Sequence, residues 1–155
     1  MQTLTKDNDI LLSGVEAFIK EGRSVILKAR GQSMLPFILP ERDSVQLEKA
    51  ESLSVGDIVL VRLYRSATPY YVMHRIIRIE DGEFTMMGDG NISGVEKFRW
   101  ENVIAKVTAI VSEDGKSRKV GKASVWRALR PVRRYLLAFY RRIPWISRQL
   151  KSVKK

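Results

Sequence analysis

Apolar and polar positions alternate along much of the first 115 residues, and those stretches read as short strands. Val25 to Ala29 and Ser44 to Glu48 place an apolar residue at every second position, with Val45 and Leu47 facing inward, the period of a half-buried strand. Ile58 to Tyr64 is nearly continuous in apolar residues, Tyr70 to Glu80 is a long return strand, and Glu83 to Met87 and Asn102 to Val111 follow. Turn residues separate them: Pro40-Glu41-Arg42-Asp43, Val55-Gly56-Asp57, Ser66 to Pro69, Asp81-Gly82 and Gly88-Asp89-Gly90-Asn91. Short strands joined by hairpin turns predict a mostly β fold, a curled antiparallel domain. There is no alternation of strand and helix and no glycine-rich phosphate loop, which argues against the nucleotide-binding folds.

Helical spacing takes over at both ends. Asn8 or Asp9 can cap a helix over about 10–21, with Ile10, Leu11, Val15, Phe18 and Ile19 near one face and Gly22 as its stop. Such a helix closes one side of the core, or lies against a membrane surface or a partner. From about residue 122 the spacing of Val125, Leu129, Val132, Leu136, Phe139 or Tyr140, and Ile143 is again helical, with Arg127, Arg130, Arg134 and Arg141 largely on the other side. Pro131 predicts a break or the start of a second helix, and Pro144 interrupts again before Trp145-Ile146 and the basic end at Lys154-Lys155. The organisation is therefore an N-terminal helical segment (1–24), a β-rich domain (25–115) and a basic amphipathic helical tail (116–155).

Composition sharpens this picture in three ways. A chain of 155 residues with 45% apolar and 29% charged residues suits one hydrophobic core. The absence of cysteine excludes a disulfide, a thiolate nucleophile and a cysteine metal site, and a single histidine argues against a zinc site. No metal or cofactor is expected. The net charge of +11 belongs to the tail, because residues 1–115 hold 14 Lys or Arg against 17 Asp or Glu, whereas residues 116–155 hold 14 basic residues and no acidic one.

The tail admits three readings. Arg on one side, with Trp126, Leu129, Leu136, Trp145 and Ile146 on the other, suits an anionic membrane surface. Its apolar stripe could equally pack on the β domain or on a protein partner, through residues 122–155. Nucleic acid is the least supported partner, since no zinc finger, RNA-binding aromatic motif or clear helix-turn-helix accompanies the charge. The polar, acidic start is unlike a signal peptide, and no apolar run approaches the roughly 20 residues that span a bilayer. The expected location is cytoplasmic or peripheral at the cytoplasmic membrane.

Candidate chemistry centres on Ala29-Arg30-Gly31-Gln32-Ser33-Met34-Leu35-Pro36, where a strand gives way to a compact turn. Gly31 can adopt angles that other residues avoid and Pro36 restrains Leu35, so Ser33 sits on a short constrained segment. An ordinary turn has the same composition. The downstream blocks change the balance: Val55-Gly56-Asp57-Ile58-Val59, then Val72-Met73-His74-Arg75-Ile76-Ile77, then Met87-Gly88-Asp89-Gly90-Asn91.

In that order and at those separations, over roughly residues 25–110, the chain resembles the S24/S26 peptidase clan of signal peptidases and self-cleaving repressors. His74 followed by Arg75 resembles the signal peptidases of the endoplasmic reticulum and archaea, which pair serine with histidine. The bacterial enzymes and the repressors carry lysine there. The resemblance implies a signal-peptidase-like β domain and a serine endopeptidase acting on a secreted or leader-bearing precursor, with small residues before the cut. Ser33 would be the nucleophile and His74 its base, an imidazole being able to take a proton near neutral pH.

The third member is less determined. Asp89 matches the Gly-Asp-x-Asn block and is the preferred acid, or it caps its own turn, while Glu96 is the alternative. The downstream aspartate of the endoplasmic-reticulum and archaeal enzymes is absent. The Ser33 N–H is the first oxyanion donor, supported by Gly31 and by Gln32, and Met34, Leu35 and Phe37 are candidates for a cleft wall. The rival expectation is a peptidase fold that binds a peptide or protein partner without cutting it, since the membrane anchor and upstream oxyanion serine of the enzymes are also missing. A self-processing regulator would need a DNA-binding head, for which 24 residues before the first strand are too few.

Overall fold

The structure, a computed structural model, describes residues 6–142. An antiparallel sheet of eight strands organises it: β1 (Val25–Lys28), β2 (Ser44–Glu48), β3 (Ile58–Arg65), β4 (Thr68–Glu80), β5 (Glu83–Met87), β6 (Glu96–Phe98), β7 (Val103–Val111) and β8 (Ser117–Lys119). Their order is β1-β2-β7-β3-β4-β5-β6, and β8 also pairs with β7. The last strand extends the sheet beyond residue 115 into the basic segment. Register shifts at Gln46/Leu47, Leu60/Val61 and Ile76/Arg78 bend the strands and increase their twist.

The unbroken apolar run of β3 has a structural cause. Ile58 and Leu60 enter one core with α1, β2 and β7, whereas Val59, Val61 and Leu63 enter a second with Ile76, Phe84, Met86 and Phe98. A strand covered on both faces has no solvent side on which to place polar residues. In the second core Phe84 stacks on Phe98 with ring centroids 5.0 Å apart, across the β5–β6 pairing.

Helix α1 (Lys6–Lys20) closes the first core with Leu12, Val15 and Ile19. The inward stripe differs from expectation, because Leu11 and Phe18 are exposed while Glu16 is buried and bonded to Arg62 at 2.6 Å. Asn8 and Asp9 do not cap the helix, which already includes Lys6. Gly22 does end it: at φ +78° its N–H reaches Ile19 O while Arg23 N–H reaches Phe18 O, the paired bonds of a Schellman stop.

The tail folds back as α2 (Ser124–Ala128), a 3₁₀ turn (Arg130–Val132) containing Pro131, and α3 (Arg133–Arg142). Fully buried Leu137 packs on fully buried Leu35, with Phe37, Leu39, Ala123 and Leu136 around them. The expected tail stripe is rotated, since Leu129, Val132 and Phe139 are exposed. The expected features at Ile143, Pro144, Trp145, Ile146, Lys154 and Lys155 lie outside the described residues. Among the described residues no helix is long and apolar enough to cross a membrane.

Candidate active site

Ser33 lies on a chain of tight turns. Gly31 takes φ +78°, Leu35 N–H donates to Gln32 O at 3.2 Å, and both Phe37 and Ile38 donate to Met34 O at 3.1 Å. The turn is clamped by the loop after β5, where Gly90 N–H donates to Ser33 O at 2.7 Å. Two glycines permit this approach: a Cβ on Gly88 would stand 2.4 Å from Ser33 O, and one on Gly90 would stand 2.3 Å from Gln32 O. No side chain other than hydrogen fits at either position.

His74 lies buried on β4, opposite Val59. Its Nδ1 is 2.8 Å from Glu96 Oε2 on β6. With Glu96 ionised, Nδ1 carries the proton and donates it, which leaves Nε2 as the ring's basic atom.

It is Glu96, the alternative acid, and not the preferred Asp89, that meets the imidazole. Asp89 is held by Arg75, whose Nε lies 2.9 Å from Oδ1 and whose second guanidinium nitrogen lies 2.7 Å from Oδ2. Strand parity explains the division. Arg75, on the face opposite His74, pairs with Met87 at the end of β5, and Asp89 lies in the turn just beyond, where the guanidinium reaches it. Ile76 pairs with Met86 and Met86 with Glu96. Ile76 is two residues from His74, so Glu96 shares the histidine's face. Gly88 follows the last residue of β5, and a Cβ there would meet Ser33 O.

Arg75 is the residue whose organising role sequence reasoning missed. It is fully buried and donates to Gly56 O at 2.8 Å and to Gly121 O, with Phe37 over its guanidinium at 5.4 Å. One side chain thus ties the turn before β3, the loop after β5 and the entry to the tail. An arginine next to histidine in an otherwise apolar strand, with a lone Asp between two glycines downstream, was the available signal.

Ser33 is half-buried, and among the described residues no hydrogen bond joins its hydroxyl to the His74 ring. Its backbone N–H donates to none of the described residues. Gln32 contributes its carbonyl to the turn. The expected cleft wall is corrected in two places: Met34 is buried in the first core and Leu35 beneath α3. A turn this tight alternates its side chains between two packed layers, so neither remains for a ligand. Phe37 is partly exposed and lines a cavity of about 290 Å³ with Pro36, Leu39, Arg75 and Arg118. That cavity does not include Ser33 or His74 in its lining. Among the described residues no three His, Asp or Glu side chains converge as a metal site requires. No family model matches the chain, and no curated protein matches it.

Proposed function

We propose that the chain is a serine endopeptidase with a signal-peptidase-like fold of the S24/S26 clan, using Ser33, His74 and Glu96. The observation that carries this reading is the 2.8 Å contact from His74 Nδ1 to Glu96 Oε2. The loop that clamps the Ser33 turn, through Gly88 and Gly90, joins β5 to the β6 strand that carries Glu96. A buried imidazole oriented by a carboxylate, with its second nitrogen unprotonated, is the base that a serine hydroxyl needs.

Ser33 Oγ attacks the scissile carbonyl carbon as His74 Nε2 takes its proton. The Ser33 N–H stabilises the oxyanion. Collapse of the tetrahedral intermediate breaks the C–N bond, and His74 gives its proton to the departing amine. Water, activated by the same imidazole, then attacks the acyl ester and regenerates Ser33. The Ser33 and His74 groups close to hydrogen-bond distance when substrate fills the site, because catalytic contacts are commonly loose without it. The substrate is a secreted or leader-bearing precursor with a small residue before the cut.

The test is labelling by a fluorophosphonate probe, read by peptide mass spectrometry, together with cleavage of secretory and leader-peptide precursors. Modification at Ser33 that is lost in Ser33→Ala and His74→Ala is expected. Equal labelling and equal cleavage in the wild type and both variants would overturn the assignment. The lack of a hydrogen bond between Ser33 and His74 favours a second reading, a module that binds a peptide without cutting it. Retention of intact precursor by wild type and Ser33→Ala alike would establish that role.

A further inference from the structure

We propose that α3 docks the protein onto an anionic lipid bilayer through the face defined by Val132, Tyr135 and Phe139. This inference stands apart from the chemistry at Ser33. The helix has two unlike sides. One is anchored to the body, with Leu137 fully buried on Leu35 and the buried Arg133 3.9 Å from Met87 Sδ. The other presents Tyr135 and Phe139, exposed by 61% and 65%, with Val132 (43%) in the 3₁₀ turn just before the helix. The interval of four residues puts the two rings on one stripe.

Charge selects the occupant. Arg134 and Arg142 are exposed beside the stripe, and the Arg134 guanidinium lies 4.6 Å from the Tyr135 ring centroid. Residues 116–155 hold 14 basic side chains and no acidic one. An uncharged protein groove would satisfy the apolar side chains and leave that field unused. A bilayer containing acidic lipids accepts both, with rings at the headgroup level and guanidinium groups among phosphates. The buried side of α3 holds the helix on the sheet while the outer side engages lipid, so docking requires no unfolding of the tail.

The full-length protein is tested by co-sedimentation with vesicles of phosphatidylcholine mixed with phosphatidylserine, and with vesicles of phosphatidylcholine alone. Wild type is expected to pellet with the acidic vesicles only, and added salt should release it. The double variant Tyr135→Glu/Phe139→Glu changes two exposed positions and should keep the wild-type circular dichroism spectrum. It is expected to partition at least about tenfold more weakly. Failure of wild type to bind acidic vesicles at low salt overturns the proposal, as does equal binding by the double variant. A single-stranded oligonucleotide that binds wild type but not the variant, with no vesicle binding, would reassign the same face to nucleic acid.

Discussion

Replacing either of the two carboxylates near the site separates their roles. Glu96→Gln replaces the carboxylate that fixes the His74 tautomer with a neutral amide that can also donate to Nδ1, so precursor cleavage should fall about 10²–10⁴-fold with little change in the urea midpoint. Asp89→Asn instead leaves Arg75 buried beside a neutral partner, and breaking such a pair costs roughly 3–5 kcal/mol. Urea unfolding should register that loss. A large kinetic effect from Asp89→Asn at unchanged stability would reverse these assignments. Gly90→Ala should shift the Ser33 turn, costing roughly 1–3 kcal/mol, because its Cβ would meet backbone rather than a side chain that can rotate away. The sequence named both carboxylates and preferred Asp89, whereas it is Glu96 that meets the imidazole. The choice depends on β6, whose three residues, Glu96, Lys97 and Phe98, are too few to display an alternation.

Among the elements, strands were legible where one face is wet. Ser44 to Glu48 alternates in burial as it does in polarity, and β3 was legible for the opposite reason, being covered twice. Strand β8, made of Ser117, Arg118 and Lys119, was not legible, because its exposed side chains carry no core signal. The phase of α1 was misread since Glu16 occupies an inward position, which its ion pairs with Arg62 on β3 and with Lys20 make tolerable. The Glu83–Lys97 contact of 2.9 Å links β5 to β6, and it lowers the Glu83 pKa through the hydrogen bond first and the lysine charge second. A carboxylate with a lowered folded-state pKa stabilises above its unfolded value, and the benefit disappears as pH falls through the folded value. Glu83→Gln should therefore be slightly less stable than wild type at neutral pH. The difference should vanish at acidic pH, and a gap that widens on acidification would refute the link.

For the whole molecule, the tail as far as Arg142 is part of the fold rather than an appendage. Leu137→Ala should destabilise it by about 2–5 kcal/mol, since a side chain with no exposure leaves a cavity between α3 and the Ser33 turn. A Tm equal to wild type would show that α3 does not rest there. Amphipathicity in the tail was evident from sequence, but its phase was not, because Val132 and Phe139 look as suited to a core as Leu137. What decided the phase was the position of Leu35, which no local pattern reveals. Leu35 is the second residue after Ser33, and packed interiors transmit displacement rather than absorb it. Anything that pulls on α3 therefore has a mechanical grip on the turn that carries the hydroxyl, and cutting that helix away would retune the turn it was meant to leave intact.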